Sequence, residues 1–177
     1  MTRIKGLIYS AVFAAIMAVC SWISIPFIVP VTLQTFAVFA AAGLLGWKKG
    51  LCSVLIYLVL GLVGVPVFSG FRGGFSVLAG PTGGYIIGFL FTVFISGMII
   101  KLKGTGTLTL CIAFVSGLLA CYIFGTVWYC LVYAPNEAGF ISALTACVIP
   151  FILPDAAKLF LAAVTVKKLK KTRLFVD

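Results

Sequence analysis

Apolar residues along this chain come in long blocks, and polar residues are confined to the short stretches between them. The first block covers about residues 7–25 and ends at Pro26. The second covers about 33–45, stopped by Gly46 and two lysines, and the third about 51–65, stopped by Pro66. A glycine-rich loop over 67–83 separates these from blocks at about 84–100 and 108–131. A sixth lies within 140–166, interrupted by Pro150 and Pro154. A helical bilayer crossing takes about 20 residues. The pattern therefore predicts an all-α integral membrane protein, a single domain over 1–177 built as a bundle of six transmembrane helices.

Composition sharpens this picture. Of the 177 residues, 63% are hydrophobic and only 9% are charged, with a mean hydropathy of +1.29. Too few polar side chains exist to cover a surface facing water. Enzymatic chemistry is poorly supplied. There is no histidine, which removes imidazole bases and Ser-His-Asp triads. The three acids, Glu137, Asp155 and Asp177, do not make a carboxylate pair or a metal cage. No GxxxxGK[ST] run is present for binding ATP. The reading is a non-enzyme with no cofactor. The six cysteines are scattered through apolar blocks without a CxxC, and read as small buried hydrophobes.

The net charge of +10 changes the picture through its placement. Eleven of the thirteen basic residues lie at block ends: Arg3, Lys5, Lys48, Lys49, Lys101, Lys103, Lys167, Lys168, Lys170, Lys171 and Arg173. In a six-crossing chain all eleven fall on the side of the two termini, whereas the opposite loops hold only Arg72. Cytoplasmic loops collect Lys and Arg, next to anionic lipid head groups. Both termini are thus expected to be cytoplasmic, and the basic excess is read as contact with membrane lipids, not nucleic acid. The first block lacks a small-residue cleavage site, so it is expected to be a crossing, not a signal peptide.

Asp155 and Lys158, in IPFILPDAAKLF, stand inside the last apolar block. A charge within a membrane span costs at least about 2.5 kcal/mol, so such residues face a cavity or each other. At i and i+3 they share a helix face. Pro154 suits a first helical position, so the helix is expected to restart there after a break at Pro150, with the pair in its first turn. A broken helix whose amides face a pocket is one way to bind polar ligands in membranes. A structural ion pair is the plainer reading. On the same outer side, Thr32, Gln34 and Thr35 in PVTLQTF offer donors and acceptors, or cap the helix they begin. Phe68, Phe71, Phe75 and Tyr85 can supply an aromatic wall, and the glycines let the loop backbone approach a ligand. Arg72 is an anion clamp or a solvated loop charge. Ala11, Ala14, Ala15 and Ala18 form a small-residue stripe, suited to internal packing or to a docking partner. Gly80, Gly84 and Gly88 make a second ridge, read as internal packing.

Several motifs in one order, VPVTLQTFAV, GLLGWKKG, IYLVLGLVGVPVFSG, GPTGGYIIGF and PFILPDAAK, resemble the BioY family over nearly the whole chain. That family comprises the biotin-specific substrate-binding (S) components of energy-coupling factor (ECF) transporters. The resemblance implies an outward-facing pocket that binds biotin, with Asp155 and Lys158 as ligand contacts. It also implies a multi-pass protein of the bacterial cytoplasmic membrane. Its partners would be a transmembrane coupling (T) protein, docking at Ala11 and Ala15, and two ABC-type ATPases that alone use ATP. Leu153-Pro154-Asp155 lacks the glycine that often precedes the acid in the family. Biotin's ureido ring and carboxylate suit the residues named: Asp155 can accept from a ureido N–H, and Lys158 can donate to the ureido carbonyl or the carboxylate. Thr32, Gln34 and Thr35 would complete the polar shell, with Arg72, Phe68 and Tyr85 from the loop side. An S component for thiamin or riboflavin, or a stand-alone facilitator, is the competing reading.

Overall fold

A computed structural model describes residues 3–26, 29–133, 144–145 and 147–172. The loop around Glu137, the start of the sixth block at Phe140, Arg173 and Asp177 lie outside the described residues. The elements are α1 (Arg3–Trp22), β1 (Ser24–Ile25), β2 (Val31–Thr32), α2 (Gln34–Leu62), α3 (Phe75–Leu78), α4 (Gly83–Lys103), α5 (Thr107–Trp128) and α6 (Ile149–Lys171). A π-turn, Tyr129–Tyr133, continues α5. Five of these helices are long and apolar enough to cross a membrane.

The expected blocks are recovered, and the differences have local causes. Residues preceding proline favour extended backbone, so α1 stops at Trp22 and Ser24–Ile25 pairs antiparallel with Val31–Thr32 ahead of the break at Pro26. Blocks two and three join into α2, which leaves helical geometry at Gly46 (φ 73°, ψ −179°). A straight helix would put residues 41 and 50 about 13 Å apart. Instead a Cβ on Gly50 would lie 3.3 Å from the Ala41 carbonyl oxygen, so the two halves of α2 double back on one another.

Lipid offers apolar side chains no reason to associate, so packing and internal hydrogen bonds hold such bundles together. Between α4 and α5 the glycines allow close approach: Gly84 faces Trp128 and Gly88 faces Cys121. The ridge thus packs internally, with Gly80 using its carbonyl to accept from the Trp128 indole. Thr92 and Ser96 donate to the carbonyls of Gly117 and Ala113 at 3.1 and 2.9 Å. Phe39 of α2 stacks on Phe114 of α5 at the centre. On α1 the alanine stripe divides: Ala14 and Ala18 are buried in the core, while Ala11 and Ala15 are exposed. All six cysteines are free thiols.

One expectation is overturned. The last helix does not restart at Pro154; α6 begins at Ile149, places Pro150 in its first turn and carries Pro154 in its interior. A proline there forfeits the bond to the carbonyl four residues back, which belongs to Pro150 at the very start of the helix. Asp155 and Lys158 therefore occupy the second and third turns, not the first.

Candidate functional site

The first turns of α2 and α4 and the opening turns of α6 converge with α5 around a cavity partly open to solvent. Three helix N-termini at one end bias the cavity toward negative charge.

Asp155 is its electrostatic centre. The carboxylate is 2% exposed, and Lys158, one turn on, is 8% exposed. The Lys158 ammonium donates to Oδ1 at 2.6 Å. The Thr35 hydroxyl, from the first turn of α2, also donates to Oδ1, at 2.9 Å. The Tyr122 hydroxyl of α5 donates to Oδ2 at 2.6 Å. One carboxylate thus joins three helices. A carboxylate offers about four acceptor positions, so one remains on Oδ2, while the ammonium has further donors beyond its bond to Asp155.

Gln34 supplies the second polar feature. Its side chain lines the cavity and is 4% exposed, yet its amide nitrogen Nε2 has no hydrogen-bond partner among the described residues. A buried donor left unpaired costs about 1–3 kcal/mol. Thr32 precedes the cap position, which Leu33 occupies without a side-chain bond; its Oγ1 accepts from the Gln34 backbone N–H at 3.3 Å, and it also lines the cavity.

The loop side is only partly as expected. Phe68 and Tyr85 line the cavity and are buried, with the Tyr85 hydroxyl paired to Thr126 at 3.2 Å. Phe71 and Phe75 do not join them; they are 64% and 71% exposed. Phe68 and Arg72 pair across a tight turn that carries Phe71, at φ 56°, outward onto the Trp22 ring at 4.9 Å. Arg72 borders the cavity and a shallower polar pocket beside it, and its Nε donates to the Ser69 carbonyl at 3.3 Å. Tyr122 is a residue that sequence reasoning missed; in its block nothing marks it out from Ser116, Thr126 or Tyr129.

The comparisons with known proteins agree with one another. The BioY family matches over residues 1–174. The chain is 39% identical to the biotin transporter BioY of Thermotoga maritima, over 94% of this chain and 96% of that one. It is 37% identical to the biotin transporter BioY of Lactococcus lactis subsp. cremoris, over 96% and 92%. Its fold matches the crystal structure of the S-component for biotin from an ECF-type ABC transporter with a TM-score of 0.86 and 34% identity, covering 97% of this chain and 95% of that one. A cavity between membrane helices, a family match along nearly the full length and a shared fold lead to one assignment: the chain belongs to the BioY family.

Proposed function

We propose that this protein captures biotin as the S component of an ECF-type transporter. The observation that carries the reading is the Asp155–Lys158 pair, buried in a membrane-protein cavity beside the unpaired amide of Gln34, in a chain of the BioY family. The donor and acceptor inventory suits a ureido ring. The remaining position on Asp155 Oδ2 accepts a ureido N–H. Lys158 and Gln34 donate to the ureido carbonyl or to the valerate carboxylate. Thr35 and Thr32 close the polar shell, Phe68 and Tyr85 cover the apolar part, and Arg72 draws in the anionic end.

In this reading α2 contributes two crossings, because it doubles back at Gly46, and the five long helices give six. Both termini and the lysine-bearing turns then share the cytoplasmic side of a bacterial membrane, and the cavity opens outward. The exposed Ala11 and Ala15 offer a flat strip on α1 to the T protein, which works with two ABC-type ATPases.

Titration calorimetry on detergent-purified protein, with thiamin and riboflavin alongside, tests the substrate. One-to-one binding of biotin alone is expected. Folded protein that binds thiamin or riboflavin instead, or no vitamin, overturns the reading.

A further inference from the structure

The carbonyl of Val67 is held from two helices. Ser21, in the last turn of α1, shares its one proton between this carbonyl at 2.6 Å and that of Ala18 at 2.7 Å, and Tyr57 of α2 donates at 3.1 Å. Both donors are fully buried. The adjacent Pro66 carbonyl accepts from the Trp22 indole at 2.9 Å. The next residue, Phe68, is a cavity wall: its ring lies edge-on to Tyr57 at 5.4 Å and is seated on Gly61, where any Cβ would meet it. A ring whose preceding backbone is held by these bonds and whose faces pack on Tyr57 and Gly61 has little freedom.

We infer that Ser21 and Tyr57 are positioning residues for ligand binding: by fixing the Val67 carbonyl they set Phe68 into the cavity, and through Ser21 that wall follows the position of α1. Neither hydroxyl lines the cavity; Ser21 acts through Phe68, and Tyr57 acts through Phe68 and through its neighbour Gln34. The inference rests on the proposed biotin reading for its ligand, although the restraint itself is independent of it. It also gives α1 a second task. The helix that exposes Ala11 and Ala15 is the one bonded to the wall of the site.

Ser10 provides the control. It is equally buried on α1 and donates to the Lys49 carbonyl at 3.0 Å, toward the opposite end of the helix. Ser21→Ala, Tyr57→Phe and Ser10→Ala would be compared as full-length protein by biotin titration and by hydrogen exchange of the amides over 66–72. One neutral hydrogen bond amounts to about fivefold in an equilibrium. Ser21→Ala and Tyr57→Phe are expected to weaken biotin about fivefold and to speed exchange over 66–72 by a similar factor. Ser10→Ala is expected to change neither. Unchanged exchange over 66–72 in both variants overturns the inference, as does a Ser10→Ala effect of equal size. Faster exchange with no biotin binding by the parent protein supports the restraint and removes the biotin reading instead.

Discussion

The Tyr122 hydroxyl and the Asp155 carboxylate, 33 residues apart in sequence, meet at 2.6 Å and join α5 to α6 inside the bundle. Hydrogen bonds to a charged group contribute about 1.5–3 kcal/mol, more than neutral ones. Tyr122→Phe keeps the ring and removes that bond. Biotin affinity is expected to fall about tenfold, with most of the change in the dissociation rate. Stopped-flow displacement of bound biotin checks this, and an unchanged rate leaves Tyr122 outside the ligand's reach.

Asp155→Asn and Lys158→Ala are each expected to weaken biotin by at least about tenfold, or about 1.4 kcal/mol. Each also strands a buried partner, so each lowers thermal stability. The double variant should unfold at a higher temperature than either single one, because no uncompensated charge remains. Native affinity in both single variants would reduce the pair to a bundle fastener.

Gln34→Leu separates binding from stability. Its unpaired amide is a cost to the fold without ligand, of about 1–3 kcal/mol. Replacement by leucine should raise the melting temperature of the biotin-free protein while weakening biotin about fivefold. A variant that melts lower and binds normally contradicts the role given to Nε2.

How much of this was legible in the sequence differs by level. The long apolar helices were, because a crossing demands about 20 apolar residues in one block, and five such helices stand among the described residues. Asp155 and Lys158 were legible because a charge in such a block is costly. Tyr122 was not, since no spacing rule links α5 to α6. Nor could sequence separate Phe68 from Phe71; a tight turn, not composition, sends one ring inward and the other onto Trp22. The start of α6 was misplaced because two prolines compete for a first-turn position, and the chain uses Pro150.

Gly46 isolates backbone strain from packing. Its φ and ψ lie in a region open almost only to glycine, and a Cβ there would meet nothing within 4 Å. Gly46→Ala should therefore destabilise the protein by about 1–3 kcal/mol with no steric contribution. Eleven residues of helix separate it from Gln34, so biotin affinity of the folded protein should hold. Thermal denaturation followed by titration of the same sample tests both halves.

Ala15→Leu adds bulk to the exposed strip of α1 without touching the cavity. Biotin binding should be unchanged, while uptake in cells carrying the energising module should fall at least about tenfold. Normal uptake would place the partner's docking surface elsewhere.

The carboxylate that joins α2, α5 and α6 has one further consequence. The group that accepts from a ligand in the proposed reading is also the fastener by which the last helix is hooked to its neighbours. A guest drawing on Asp155 must share it with Thr35, Lys158 and Tyr122, and each small change in those bonds is felt at once on three helices. In the proposed reading, filling the cavity would thereby bear on the packing of α2, α5 and α6 together.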